Sequence, residues 1–248
     1  KDLAPFVPAL SRFEEPLDLN LVFSGHGKHL DCPTLRLTNH HGLMIAGEAA
    51  LSNWDAGMDM YIYGKLGNLT MTKEGINVLM TNLTGKVPPI LQRLDYIRFN
   101  GEAAGYLHDL TLTGLFHTGA GMVKTDVMMS IDEQSMSRTY SGSVASADLD
   151  LGKLLNQEKK FGKVDFNVEL KGFNYKNRYP ESYIKGIISS FEYSQYQYEN
   201  IMLDGVYKDG GFNGRLSMDD ANGSVQIDGN FNVAKTIPDF NLKASVKN

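Results

Sequence analysis

The residues best suited to chemistry are few. His26 and His29 stand three apart, with Asp31 close behind, and could supply a metal site. Residues three apart on a strand point to opposite faces, so these histidines converge only across a turn, which Gly25 and Gly27 would permit. His40 and His41 are adjacent and diverge on a strand. Cys32, before Pro33, has neither a cationic neighbour nor a partnered base in the sequence, so nothing activates it as a nucleophile. Asp219 and Asp220, with Asn222, pair two carboxylates in what reads as a turn, but the twelve-residue loop ending in glutamate that calcium would use is missing. Glu192, Tyr193, Tyr196, Tyr198 and Glu199 form an acidic aromatic ladder that could suit a sugar, although tyrosine is also a common strand former. The chain carries no Gly-x-Ser-x-Gly elbow, phosphate-binding glycine loop or His-Glu-x-x-His pair. No residue set points to catalysis, metal binding or a cofactor, and the expectation is a protein that is not an enzyme.

The segments that would position these residues alternate with period two. Leu17, Leu19, Leu21 and Phe23 interleave with Asp18, Asn20 and Val22. Val164, Phe166, Val168 and Leu170 interleave with Asp165, Asn167 and Glu169. Val225, Ile227, Phe231 and Val233 oppose Gln226, Asp228, Asn230 and Asn232. Successive side chains of a strand face opposite ways, so this pattern gives one dry and one wet face, the signature of antiparallel sheets. Lys208-Asp209-Gly210-Gly211, Asp219-Asp220-Ala221-Asn222-Gly223 and Thr118-Gly119-Ala120-Gly121 read as hairpin turns. The expected fold class is all-β, a meander in which each strand pairs with its sequence neighbour. Glycines at 142, 172, 186, 205, 214 and 229 sit where a curved sheet would bend.

Short helical stretches interrupt the strands near Glu74–Leu79, Pro88–Leu94 and Asp148–Leu155. Leu79, Ile90, Leu94, Leu154 and Leu155 are expected to cover the apolar face. No composition shift marks a linker, so residues 1–248 read as one segment with a soft boundary near 84–100.

Composition excludes several partners. The chain has 24 Lys and Arg against 29 Asp and Glu, a formal charge of −5, which gives no electrostatic reason to bind nucleic acid. The single cysteine excludes an intramolecular disulfide. No apolar run approaches the roughly 20 residues that span a bilayer, so any membrane anchor is expected outside this segment. Eleven methionines, including Met58, Met60, Met71, Met80, Met122, Met128, Met129 and Met136, suit either ordinary core filling or an apolar face that adapts to varied occupants.

Several stretches carry a family resemblance. Phe212–Asp220, followed by Val225–Phe231 and by Pro238-Asp239-Phe240-Asn241-Leu242, resembles the closing strands of the AsmA-like superfamily. The specific likeness is to the TamB-like translocation and assembly proteins of Bacteroidetes-type envelopes. Phe99-Asn100-Gly101, Tyr106–Leu110, Leu115–Gly121, Tyr140-Ser141-Gly142, Asp150–Leu155 and Phe161-Gly162 resemble its repeating blocks in order and spacing. The resemblance covers about Leu17 to Val246. It implies an elongated, curved, taco-like β trough in a periplasmic, inner-membrane-anchored protein that moves phospholipid toward the outer membrane. A BamA-like outer-membrane protein is the implied partner.

Alternation selects Phe166, Val168, Leu170, Phe212, Leu216, Ile227 and Phe231 as the expected lining of such a groove. The alternative is a structural or protein-binding β module, its apolar face closed, that pairs through an edge strand with outer-membrane assembly components.

Overall fold

The computed structural model describes residues 16–132, 134–135, 137–174, 181–232 and 239–247. Met136, Val233 and Pro238, named above, lie outside them. The chain divides into two compact units, residues 1–107 with 114–120, and residues 108–113 with 121–248.

The first unit holds β1 (Asp18–His26), β2 (His29–Thr38), β3 (Leu43–Ser52), β4 (Tyr61–Thr72), α1 (Lys73–Thr84), α2 (Pro89–Gln92), β5 (Tyr96–Tyr106) and the later part of β6 (Asp109–Thr118). Each of β1 to β4 pairs antiparallel with the strand that follows it, β1 to β3 through short connections and β4 with β5 across the segment that carries α1 and α2. Thr72 caps α1 by accepting a hydrogen bond from the Gly75 N–H, and Gly85 ends the helix in the left-handed region, where a missing Cβ removes the steric cost. α1 packs on β4 and β5. Ile76, on α1, and Leu43 are each 1% exposed and anchor this unit's core with Leu94, Ile97 and Phe99.

The second unit holds the start of β6, then β7 (Gly121–Ile131), β8 (Arg138–Asp150), α3 (Leu151–Leu155), β9 (Phe161–Asn174), β10 (Glu181–Tyr193), β11 (Tyr196–Lys208), β12 (Gly211–Asp220), β13 (Gly223–Asn232) and β14 (Asp239–Lys247). The hairpin at Asp209-Gly210 has positive φ at both central residues, 50° and 77°, the geometry whose twist matches the flanking strands. Asp150 caps α3 through the Lys153 N–H at 2.8 Å.

Strand order follows chain order from β1 to β14, so the meander expected from the turns is the topology observed. The curled, taco-like trough is not. The order is open: among the described residues β1 and β14 stand at its two ends and do not pair, so the antiparallel meander does not curl closed. Curling a whole sheet takes bulges repeated along all of it; register shifts fall between β1 and β5 and between β8 and β10, but the registers from β10 to β14 run residue for residue without one.

The expected helical covers also differ in part. Leu94 is buried, and Leu79 and Leu154 are half-buried, but Ile90 and Leu155 are exposed because α2 and α3 are too short to turn every apolar residue inward. No helix among the described residues is long and apolar enough to cross a membrane.

Candidate functional site: a glycine-floored apolar hollow

The registers of the second unit resolve its two faces. Leu170 stands opposite Ile184, Ile184 opposite Gly205, Gly205 opposite Gly214, and Gly214 opposite Gly229. With period two, this chain of pairs puts Phe166, Val168, Leu170, Phe212, Leu216, Ile227 and Phe231 on one and the same face.

On β11 to β14 that face is laid out in rows. Tyr207, Phe212, Phe231 and Phe240 form an aromatic row. Next to it lie Gly205, Gly214, Gly229 and Leu242, then Leu203, Leu216, Ile227 and Ala244. The glycine row supplies no side chains, so a depression is left between the aromatic wall and the aliphatic wall. Its volume is about 530 Å³, and it is lined by Leu203, Tyr207, Gly210, Phe212, Gly214, Leu216, Ile227, Gly229, Phe231 and Leu242. None of these carries a charge. Phe212 and Phe231 tilt together with ring centroids 5.8 Å apart, fixing the aromatic wall. Phe231 is 38% and Leu242 46% exposed, so the hollow opens to solvent on the β13–β14 side.

The glycines are required there by close approach. A Cβ on Gly214 would meet the Asp204 carbonyl oxygen at 2.4 Å, and one on Gly229 would meet the Asn241 carbonyl oxygen at 2.1 Å, at a φ of 143°.

Four of the seven residues expected from alternation, Phe212, Leu216, Ile227 and Phe231, line the hollow. Phe166, Val168 and Leu170 share the face but lie on β9, half-buried, outside it. Leu203, Tyr207 and Leu242 were not among those expected. Counting outward from the Asp209-Gly210 turn would have found the first two, since Tyr207 and Phe212 are equally distant from it.

The opposite face carries charge. Glu169, Lys185, Asp204, Arg215, Asp228 and Lys243 stand directly opposite one another in turn, across six strands, with the sign alternating at every step. Lys185 Nζ lies 3.3 Å from Asp204 Oδ2, and Arg215 Nε donates to Asp228 Oδ1 at 2.6 Å. Hydrogen bonds from the Tyr183 hydroxyl and Lys185 lower the Asp204 pKa, and those from Gln226 and Arg215 lower that of Asp228.

The polar residues considered at the outset are engaged locally. His26 and His29 are opposed across the β1–β2 turn, and His29 meets Asp31 at 2.9 Å and Ser52 at 2.7 Å. His41 Nδ1 lies 2.7 Å from Glu74. The Cys32 thiol donates to the Thr34 carbonyl at 3.2 Å. Asp220 accepts from the Asn222 N–H at 2.8 Å and from the Tyr196 hydroxyl at 2.9 Å, so it closes its own turn. Tyr193, Tyr196 and Tyr198 join Phe161 and Phe191 in one aromatic cluster. Among the described residues, no three His, Cys, Asp or Glu side chains are placed to hold a metal ion.

No protein-family model, no curated protein and no solved structure matches the chain.

Proposed function

We propose that this chain is a non-enzymatic sheet module that holds the acyl chain of a phospholipid in the hollow on β11 to β14. In this reading it belongs to a periplasmic, membrane-anchored protein that serves phospholipid movement between membranes or outer-membrane assembly. The observation that carries the reading is the hollow itself, about 530 Å³ lined by ten uncharged, almost wholly apolar residues and open to solvent. Pockets of that size accept small ligands, and a lining without charge selects for hydrocarbon over sugars or nucleotides.

The energetics favour transient holding. Burying about ten methylenes contributes roughly 8 kcal/mol, at about 0.8 kcal/mol each, and the loss of translational freedom on association offsets about half of it. One hollow of this kind binds weakly and lets go readily, which suits a lipid in passage more than a stored one.

The test is titration of the whole chain with a fluorescent fatty acid, with native mass spectrometry after incubation with phosphatidylethanolamine–phosphatidylglycerol vesicles. The expected result is one acyl ligand per chain, lost when Phe231→Asp is combined with Leu242→Asp while circular dichroism is unchanged. Both side chains are already partly exposed, so the fold should tolerate the changes. Equal binding by the folded variant, or no binding by the wild type, would overturn the reading.

A further inference from the structure

The charged face of the second unit holds a cavity of about 500 Å³, on the opposite side of the sheet from the apolar hollow. The strand registers build it. Met128, Ser141, Lys171, Tyr183 and Val206 stand opposite one another in turn from β7 to β11, and Thr139, Phe173 and Glu181 form the neighbouring row on β8 to β10. Lys171 follows Glu169 by two residues on β9, so period two puts both rows on the face that carries the alternating charges. The serine and threonine of β8 are short, whereas Met128, Lys171, Phe173 and Tyr183 are long. β8 is therefore the floor of the cavity, and β7, β9 and β10 raise its rim.

The charges around this cavity are matched except one. Glu181 Oε2 lies 2.7 Å from Lys208 Nζ. The Tyr183 hydroxyl donates to Asp204, outside the lining, at 2.8 Å, and the Ser130 hydroxyl donates to Asp109 at 2.9 Å. Glu169 stands opposite Lys185 in the charge row. Lys171 has no carboxylate partner among the described residues, and neither the Thr139 nor the Ser141 hydroxyl has a hydrogen-bond partner there. Ser141 is directly opposite Lys171 and Thr139 is diagonal to it, so one ammonium and two hydroxyls share one corner of the cavity. Phe173 is 45% and Tyr183 39% exposed, which leaves two aromatic side chains open beside the same ammonium.

We infer that this cavity binds a small aromatic carboxylate, its carboxylate held by Lys171, Ser141 and Thr139 and its ring laid against Phe173 and Tyr183. One unmatched cation calls for a monoanion, since a second negative charge would have no counterpart in the lining. An ammonium and hydroxyls donating to an ionised acceptor make the stronger class of hydrogen bond, and exposed rings supply apolar area for an aromatic body. A neutral ligand leaves Lys171 unmatched and a cationic one is repelled by it, so the site discriminates by charge. Lys171 itself is exposed, so the attraction is screened and affinity falls as salt is raised.

The experiment uses the full chain carrying carbon-13 at the methionine methyls, titrated with 2-naphthoate and followed by NMR. Met128 lines the cavity, Met129 beside it on the strand faces the other way, and Met202 lies on the charged face outside the lining, so the chain holds its own controls. Methionine-to-leucine variants assign the signals. The Met128 methyl is expected to shift saturably while those of Met129 and Met202 stay in place. 2-Naphthamide, the uncharged counterpart, is expected to bind about tenfold more weakly, and 2-naphthylmethylammonium to produce no shift. Lys171→Gln is expected to reduce naphthoate binding to the level of the amide and to leave binding of the amide itself unchanged. Thr139→Val combined with Ser141→Ala is expected to weaken naphthoate about threefold. Unchanged positions of the other methyl signals report that each variant is folded.

A Met128 methyl that does not move, equal affinity for naphthoate and the amide, or full naphthoate affinity in Lys171→Gln would each overturn the inference. Shifts shared equally by Met129 and Met202 would do the same. The combined Phe231→Asp, Leu242→Asp variant separates this site from the hollow. It is expected to bind naphthoate as the wild type does, and loss of binding there would place the ligand in the hollow and overturn the inference. Fatty-acid titration of Lys171→Gln is expected to match the wild type, so failure of either site leaves the reading of the other intact.

Discussion

Gly214 on β12 and Gly229 on β13 stand directly opposite each other, with the Phe212–Phe231 pair on one side of them and the Leu216–Ile227 pair on the other. Two absent side chains thereby make a floor, and four present ones make its walls. The same glycines let neighbouring backbone come closer than any Cβ would allow.

Substitution at this pair should cost stability and close the hollow together. Gly214→Ala places a methyl 2.4 Å from the Asp204 carbonyl oxygen and 2.5 Å from Gly205 Cα, so the strands must move apart. Overpacking of this kind costs about 1–3 kcal/mol. Gly229→Ala is expected to cost more, because its φ of 143° is disfavoured for any residue with a side chain, in addition to the contact with Asn241. Urea unfolding of both variants, with fatty-acid titration of whichever remains folded, measures the two effects. An alanine at either position that leaves stability and binding unchanged would show that the floor is not as tight as described.

The charge row predicts a pH dependence. The Asp204 carboxyl is held below its ordinary pKa by the Tyr183 hydroxyl and Lys185, and that of Asp228 by Gln226 and Arg215. A carboxylate whose pKa is lower in the folded than in the unfolded chain contributes stability that is fully present above the unfolded value, about 3.9, and is lost as pH falls through the folded one. The second unit is therefore expected to weaken below about pH 4. Asp204 is exposed and Asp228 partly so, so the effect is modest and shrinks at high salt. Urea midpoints followed from about pH 6 down to about pH 2.5 in wild type and in the Asp204→Asn, Asp228→Asn double variant would check this. The variant should show the flatter profile, and parallel profiles would remove these two groups as the cause.

Much of this architecture was legible in the residues. Alternation of apolar and polar residues identified the strands around Phe166 and Phe231 and the face they share, because a strand's period of two leaves no other assignment. Lys208-Asp209-Gly210-Gly211 marked the β11–β12 turn, but the register that opposes Gly205 to Gly214 was not drawn from it. The open, uncurled order was not legible. Period two says which side of a strand is apolar and nothing about whether distant strands meet, so the trough rested on resemblance and on glycines such as Gly205, Gly214 and Gly229 read as bends. The alternating charge row was present in the sequence but dispersed from Glu169 to Lys243, and it becomes visible only once the registers are known.

The first unit depends on α1. Ile76 is 1% exposed on a helix that packs against β4 and β5, so Ile76→Ala removes three carbon atoms from a site with no access to water. The expected loss is about 2–5 kcal/mol. Thr72→Ala, which deletes both the side-chain cap on the Gly75 N–H and the hydroxyl's hydrogen bond to the His41 carbonyl, should cost about 1–2 kcal/mol. Thermal melts of the two variants rank them. A cap variant as damaging as the core variant would mean that helix initiation, rather than packing, limits this unit.

The β10–β11 turn carries none of the glycine or asparagine that marks the β11–β12 and β12–β13 turns. Ser194 and Gln195 occupy its two central positions with φ of 50° and 70°. Two-residue hairpin turns of this hand favour Asn-Gly, which takes up positive φ readily, whereas a serine and a glutamine there cost about 1–2 kcal/mol each. Replacing them by Ser194→Asn with Gln195→Gly should relieve most of that strain. Glycine's greater freedom in the unfolded chain returns about 0.5–1 kcal/mol of the gain. The net expectation is stabilisation by about 1 kcal/mol, read as a higher urea midpoint with an unchanged slope. The Ser194 N–H, which donates to the Lys160 carbonyl at 2.7 Å, is retained in the variant, so no hydrogen bond is given up. A lower midpoint would mean that the serine or glutamine side chain does something in the turn that outweighs its backbone strain.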